Sequence, residues 1–385
     1  MESIYLDNIA GTKPDERVVE AVMPYLTEKY GNPAAHFYPL GRESYLALNN
    51  ARKQVAELIN AKNLEDIIFT SNGTESNNIA IKGVLGLSGN KKHIIISEIE
   101  HYSIQNPVLK LTNEGYTFTK LQVDKGGRIS PESVLKAIKE DTAMVAIAHA
   151  NSEIGVIQDI EAIGKICKEK GIHFHVDAVA SCGFVEIDVE KMNASTLTIA
   201  AQNFYGIRGA AVLYVAPNVK LKPLFDGGFQ EKGIRSGSEN VPAIIGLGKA
   251  CEILLEKQDS EILHIKRLRD TFEKRVLEEI PDTYVNGAID NRVPSISDIA
   301  FRYIEGEALM VYAREVCCSA GSACTSASTN PSHVLSAINI DEVDIHGALR
   351  FSFGRFNTLD EVNRAVDVLK ESVEKLRKMS PLYNK

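Results

Sequence analysis

The chain has 385 residues, of which 44% are hydrophobic and 24% charged, a balance typical of a soluble globular protein. Its 43 basic and 51 acidic residues give a net charge of −8, which argues against nucleic acid or an anionic membrane as the main partner. No run reaches the roughly 18 apolar residues of a membrane span, and acidic residues stand where a signal peptide would be basic. We therefore expect a cytoplasmic protein.

Short apolar runs alternate with helical patterns between about residues 65 and 215. Near-continuous apolar strands separated by helices are typical of a mostly parallel sheet with helices on both faces. Such sheets bind ligands at the carboxyl ends of their strands. The predicted strands are 66–70, 93–97, 144–148, 173–177, 196–200 and 210–215, and the predicted helices between them include 75–85, 133–139 and 160–170.

The pattern changes after about residue 250. A charged helix is predicted over 261–279, shorter strands over 297–301 and 349–353, and a final amphipathic helix over 359–377. A chain of this length is expected to divide into a large and a small domain. We predict an N-terminal segment, 1–14, that packs with the small domain, a large domain, 15–250, and a small α/β domain, 251–385.

Three segments of the predicted sheet carry polar groups suited to binding. Residues 69–78 run from a strand through a Gly73-Thr74 turn into a helix, which is either a simple cap or a phosphate cradle. Asp177 ends an apolar strand and either caps the next helix or pairs with a protonated heterocycle, as pyridoxal phosphate (PLP) requires. His101 follows another strand and is either a structural histidine or an imidazole laid against a planar cofactor.

The six cysteines are too sparse for a disulfide framework, and no Cys-x-x-Cys pair or other metal motif indicates a metal site built by this chain alone. Cys324 stands among small residues in 319–328, which predicts a mobile loop whose thiol can react. The other five cysteines fit core positions. Arg350 interrupts an apolar strand and serves either a structural ion pair or a substrate carboxylate.

Taken together, these segments resemble the cysteine desulfurases of the class V aminotransferase family, PLP enzymes of fold type I. The chain is most similar to their housekeeping iron–sulfur assembly branch, the IscS/NifS-like proteins. The resemblance implies a large, mostly parallel sheet domain and a smaller C-terminal α/β domain. It is carried by residues 5–8, 31–33, 69–78, 100–101, 151–158, 175–177, 235–237, 321–325, 331–333 and 350–358.

The resemblance implies a set of cofactor contacts. Gly73 and Thr74 would hold the PLP phosphate, and His101 would stack on the ring. Asp177 would pair with the pyridine nitrogen. Ser238 stands where the family has a threonine that reaches the phosphate across a homodimer interface.

The resemblance also implies how sulfur would be handled. Arg350 would hold the carboxylate of L-cysteine, and Cys324 would remove its sulfur and carry it as a persulfide. The sulfur would then pass to a scaffold protein of the IscU type, which builds iron–sulfur clusters.

The sequence departs from the family at one cluster of positions. Asn203 stands at the position of the Schiff-base lysine, with Gln202 at a histidine and Ala200 at a serine. Ala180 replaces a glutamine that bonds the cofactor, and Ser152 replaces an asparagine. A carboxamide nitrogen is delocalised and cannot form a Schiff base, and losing a general acid–base group typically costs roughly 10²–10⁴-fold in rate. We therefore expect PLP to bind weakly and without a covalent link, and desulfuration of cysteine to alanine to be weak or absent.

Three interpretations follow. In the first, the protein presents Cys324 to the scaffold as a persulfide carrier, or as a metal ligand to a shared cluster of the 2Fe–2S kind, with sulfur from L-cysteine, free sulfide or another donor. In the second, it is an active cysteine desulfurase with non-covalent PLP. In the third, it is a structural pseudoenzyme partner. The intact motif around Cys324 favours the first.

Overall fold

A computed structural model describes residues 3–320 and 331–383. Its main sheet has seven strands in the order β2-β8-β7-β6-β5-β3-β4. Only β8 runs antiparallel to its two neighbours, and the other pairs are parallel. The predicted α/β fold class is therefore confirmed. The strands are β1 (Ile4–Tyr5), β2 (Ile67–Thr70), β3 (His93–Ser97), β4 (Thr117–Leu121), β5 (Thr142–Ala148), β6 (His173–Asp177), β7 (Thr196–Ala200), β8 (Ala211–Val215), β9 (Thr283–Val285), β10 (Ile296–Phe301), β11 (Val316–Cys317), β12 (Ser319–Ala320) and β13 (Ala348–Ser352).

Helices cover both faces of this sheet, and their first turns begin at capping residues. Asn72, His101 and Asp159 each accept a backbone N–H at the start of a helix, which satisfies one of the donors left free there. The helices are α1 (Glu16–Thr27), α2 (Pro39–Leu58), α3 (Gly73–Leu85), α4 (Tyr102–Leu111), α5 (Pro131–Ala137), α6 (Ile160–Lys170), α7 (Val241–Glu279), α8 (Gly306–Tyr312), α9 (His333–Ala337), α10 (Glu342–His346) and α11 (Leu359–Met379).

Two large hydrophobic cores meet along α7. The first half of this 39-residue helix packs Leu247 and Leu254 into the core of the main sheet, and its second half packs Ile265 and Phe272 into the second core. The second core lies on a four-stranded sheet of order β12-β13-β10-β9 and includes Leu6 of the N-terminal segment. The helix runs without a break through residue 250, and the division into domains at that residue stays a prediction.

Four of the cysteines outside the predicted reactive loop are buried, namely Cys167, Cys182, Cys251 and Cys318. Burial raises the pKa of Cys318 to about 12, so this thiol is protonated at physiological pH. Cys317 is partly buried. Across the two described stretches, no helix combines the length and the apolar character that crossing a membrane requires.

Candidate active site

A cavity of about 370 Å³ opens at the carboxyl ends of the central strands, where parallel sheets bind ligands. Most of the predicted site residues meet in it. Ser238 does not: it is exposed, and its carbonyl oxygen accepts a hydrogen bond from Arg235. Cys324 lies outside the described residues. The predicted site residues that line the cavity are Gly73, Thr74, His101, Ser152, Asp177, Ala180, Ala200, Gln202, Asn203 and Arg350.

The N-terminus of α3 forms one wall of the cavity. The side chain of Asn72 accepts the amide of Glu75 at 2.9 Å, and the first amides of the helix, at Gly73 and Thr74, lack partners within the helix. A Cβ atom at Gly73 would lie 3.0 Å from Cγ2 of Val179, so glycine lets the chain approach closely here. Exposed amides at the positive end of a helix dipole suit a phosphate.

Asp177 ends β6 at the floor of the cavity and is buried. Its two oxygens accept the amide of Val179 at 3.0 Å and the side-chain amide of Asn77 at 2.8 Å. Burial raises the pKa of this carboxyl group, and the two hydrogen bonds oppose that rise. His101 caps the N-terminus of α4 beside it, and Nδ1 of its ring accepts a hydrogen bond from the backbone amide of Ser103 at 3.1 Å. A buried carboxylate and an imidazole thus face the same space, as a protonated heterocycle requires.

Asn203 follows β7 and is 95% buried. Its Nδ2 donates to the carbonyl oxygen of Ile9 at 2.8 Å, and its Oδ1 is buried without a hydrogen-bond partner among the residues that the structure describes. The backbone carbonyl oxygen of the neighbouring Gln202 accepts a hydrogen bond from the amide of Thr12 at 2.8 Å. The carboxamide of Asn203 therefore binds the N-terminal segment through its nitrogen, at the wall of the cavity.

Arg350 on β13 lines the cavity and pairs with the carboxylate of Asp7. Its guanidinium donates to Asp7 Oδ1 at 3.1 Å and to the carbonyl oxygen of Ser152 at 3.1 Å. Asp298, opposite on β10, is fully buried, and burial raises its pKa to about 6. An incoming carboxylate would compete with Asp7 for the guanidinium. Ser319, which donates to Asp7 at 2.8 Å, is one of the last residues before the undescribed stretch 321–330.

Glu100 lines the cavity, and no role for it was predicted from the sequence. It is 99% buried, and its two oxygens lie 2.6 Å from Ser97 Oγ and 2.9 Å from the amide of Ala148. Burial raises its pKa to about 8, and the nearby charge of Asp177 acts in the same direction. Glu100 is therefore largely protonated at neutral pH.

A Glu100→Gln variant is expected to gain stability relative to the wild type as pH rises. The folded state raises the pKa of Glu100 from 4.5 to about 8, so folding binds a proton in this range and stability falls as pH rises through it. Glutamine can donate to Ser97 and accept from Ala148, and it does not ionise. Urea unfolding of both proteins at several pH values would measure the difference.

The difference between the two free energies of unfolding should grow between about pH 4.5 and 8 and then level off. A difference that stays constant with pH would show that Glu100 is ionised in the folded protein. Glu132, which is exposed on α5, supplies a control substitution to glutamine outside the cavity.

The fold is that of the PLP-dependent transferases of fold type I. A solved structure named NifS-like protein superposes with a TM-score of 0.91 at 31% identity, covering 97% of this chain and all of the other. The family model of class-V aminotransferases matches residues 4–365.

Among curated proteins, the cysteine desulfurase IscS of Dictyoglomus turgidum is 44% identical over 381 residues, or 98% of this chain and 96% of the relative. The cysteine desulfurase IscS of Methanosarcina thermophila is also 44% identical, over 387 residues, covering 100% of this chain and 95% of the relative. The chain therefore belongs to the class-V aminotransferase family, among its IscS/NifS-like cysteine desulfurases.

Proposed function

We propose that this protein serves iron–sulfur cluster assembly by accepting sulfur on Cys324 and passing it to a scaffold protein of the IscU type. PLP-dependent conversion of L-cysteine to alanine is weak or absent in this proposal. Full-length similarity to proteins named cysteine desulfurase IscS supports the role in sulfur delivery. The carboxamide of Asn203, bound to Ile9 at the cavity, is the observation that supports weak catalysis.

The residues of the cavity fit PLP as a non-covalent ligand. The amides of Gly73 and Thr74 would hold its phosphate, Asp177 would pair with its ring nitrogen, and His101 would lie against the ring. When bound, PLP withdraws electrons from an attached amino acid. The carboxamide of Asn203 at the cavity wall offers the cofactor no amine. Weak cofactor binding follows from this side chain and from Ala180, whose methyl group offers the cofactor no hydrogen bond.

Arg350 gives the cavity a group for the carboxylate of L-cysteine. A planar guanidinium can hold a carboxylate through two parallel bonds. In the present geometry one of its amino groups is engaged by Asp7 at 3.1 Å. Substrate binding would therefore bring a second carboxylate to a guanidinium that already pairs with Asp7.

The remaining parts of the proposal come from the sequence. We propose a homodimer in which Ser238 approaches the phosphate site of the other subunit, because this serine is exposed and lies outside the cavity of its own chain. A cluster ligated by Cys324 while it is held by the scaffold is part of the same proposal. The cytoplasmic location stays a prediction.

Replacing the reactive thiol tests sulfur delivery. A Cys324→Ser variant is expected to lose persulfide formation and sulfur transfer to the scaffold, because the attacking thiolate is gone. In the wild type, the Cys324 thiolate attacks the outer sulfur of a small persulfide donor and forms a new sulfur–sulfur bond. The sulfur–sulfur bond of the donor breaks, and the donor leaves as a thiol. Mass spectrometry of the intact protein would measure the added sulfur atom, with L-cysteine plus PLP as a second donor.

Cys317→Ser is the matched control, since Cys317 is a partly buried cysteine a few residues upstream and its loss should leave the persulfide in place. A Cys324→Ser protein that still supports full cluster assembly would contradict the role of Cys324 and favour a structural partner. Alanine formed by the wild type at a useful rate would favour an active desulfurase with non-covalent PLP.

A further inference from the structure

The buried carboxamide of Asn77 connects by hydrogen bonds to Asp177 and, through Ser103, to His101. These are the two residues that would face the cofactor ring in the proposed function. Asn77 lies on α3 and is fully buried. Its Nδ2 atom lies 2.8 Å from both Asp177 Oδ2 and Ser103 Oγ, and its Oδ1 lies 3.0 Å from Nε2 of His175. One side chain on α3 thus contacts three hydrogen-bonding groups, two of them on β6 and one on α4.

The direction of each bond follows from which groups can donate. A carboxylate only accepts, so the amide NH₂ of Asn77 faces Asp177 and its carbonyl oxygen faces His175. His175 then carries its proton on Nε2, and its Nδ1 accepts the hydroxyl proton of Thr196 at 2.9 Å. The Thr196 oxygen in turn accepts from Nε2 of His173 at 2.9 Å.

A second branch leads from Asn77 to His101. The Ser103 hydroxyl oxygen accepts a hydrogen bond from Nδ2 of Asn77. The same hydroxyl donates a hydrogen bond to Nδ1 of His101 at 2.7 Å. His101 therefore carries its proton on Nε2.

Burial lowers the pKa of His173 and of His175 to about 3, so both of these rings are neutral at physiological pH. The chain of bonds then has a single arrangement of protons.

We propose that Asn77 is a positioning residue, oriented by His175, that holds Asp177 and His101 in one hydrogen-bonded state. Its N–H bond stabilises the ionised form of a carboxyl group that is buried in the protein. Its link through Ser103 sets the orientation and the tautomer of the imidazole. The effect on PLP rests on the proposed function, whereas the arrangement of protons concerns only the side chains of this chain.

The arrangement can be tested by nitrogen NMR on ¹⁵N-histidine-labelled protein without cofactor, with signals assigned from His175→Gln and His173→Gln. The wild-type protein is expected to show His175 protonated on Nε2. In an Asn77→Leu variant Nε2 loses its acceptor, and Thr196 is the remaining partner of the ring. The proton should therefore move to Nδ1, and His173 should change its tautomer as well, because the Thr196 hydroxyl reverses direction.

A Ser103→Ala variant interrupts only the branch of hydrogen bonds that leads to His101. It removes the hydroxyl between Asn77 and His101 and should leave the tautomer of His175 unchanged, while the signals of His101 move. His93 provides an internal reference, since both of its ring nitrogens bond to Thr142 and Thr119 at 2.8 Å. Its signals should be the same in all variants.

Equilibrium dialysis with PLP gives the functional readout. Asn77→Leu is expected to weaken PLP binding by about 10- to 100-fold, the effect of losing a hydrogen bond to a charged group. A wild-type His175 protonated on Nδ1, or an Asn77→Leu variant with unchanged tautomers, would overturn the proposal. Wild-type protein that does not bind PLP would contradict the cofactor in the proposed function and leave the NMR result to decide on Asn77.

Discussion

An Asn203→Lys variant is expected to release alanine from L-cysteine, with PLP present, about 10²–10⁴-fold faster than the wild-type protein. A lysine amine can link to the cofactor and can move protons, and a carboxamide can do neither. The cavity has room for the longer side chain, because it encloses about 370 Å³ beside Asn203. The other groups suited to cofactor and substrate, including Asp177, His101 and Arg350, already line the same cavity.

The rate of alanine release would be measured for both proteins in excess PLP, together with the absorbance of bound cofactor. Asn203→Gln is the matched control, because it lengthens the side chain without supplying an amine and should give no gain. A wild-type rate equal to that of Asn203→Lys would show that Asn203 is tolerated. No alanine from either protein would contradict the prediction and shift attention to Ala180 and Gln202.

The strands of the main sheet could be predicted because they are buried on both faces. All five residues of β6, for example, are buried or nearly so, and its bounds agree with the apolar run in the sequence. The edge strand β4 was missed, since of its five residues only Leu121 is buried and its polar pattern does not mark a strand. Its place at the edge follows from pairing with β3, which one sequence segment does not show.

The change of pattern near residue 250 has a physical cause. Residues up to Leu254 face the first core, and those from Ile265 onward face the second. The charged stretch between them lies on the same helix, α7, so the sequence indicated two environments where the backbone has one element. The apolar pattern of a helix depends on the core that the helix packs against. It therefore predicted a helix over 261–279 and missed that the same helix begins at Val241.

The candidate site could be predicted only where its residues lie at strand ends or helix starts. Asp177, His101 and Gly73 satisfy that rule. Glu100 and Asn77 were missed as functional groups, because their importance comes from burial and from partners far along the chain, such as Ala148 and His175. An acid directly before His101 was the available signal for Glu100. Nothing in the spacing of Asn77 and His175 indicates that their side chains meet.

The turn that carries Asn203 is anchored by a second buried network, centred on Arg355. The guanidinium lies 3.8 Å from the centre of the Tyr205 ring and bonds Asp15 at 2.7 Å and Glu261 at 2.8 Å. The hydroxyl of Tyr205 accepts the backbone amide of Arg355 at 2.7 Å. Tyr205 has a φ of 67°, a conformation that is unfavourable for a tyrosine and needs such support. This network connects the active-site turn to the start of α1 and to α7.

An Arg355→Met variant is expected to lose about 3–5 kcal/mol of unfolding free energy, because the buried carboxylate of Asp15 and the partly buried carboxylate of Glu261 both lose this partner. Urea unfolding at neutral pH would measure the loss. Hydrogen bonds from Arg17 and from Arg355 hold the pKa of Asp15 far below its usual 3.8, so the stability they give is present above that value and disappears as pH falls below it. The difference in unfolding free energy between the variant and the wild type should therefore become smaller at acidic pH.

Arg364→Met is the control, since Arg364 makes a long, partly exposed ion pair with Glu315 at 3.6 Å, and surface pairs contribute about 0–1 kcal/mol. Equal losses in the two variants would mean that the network around Arg355 does not stabilise the fold. A loss confined to Arg355→Met, accompanied by weaker PLP binding, would connect the stability of this network to the geometry of the turn at Asn203. The side chain of Arg355 is 93% buried, so solvent can replace little of what the substitution removes, and the large effect follows from that burial.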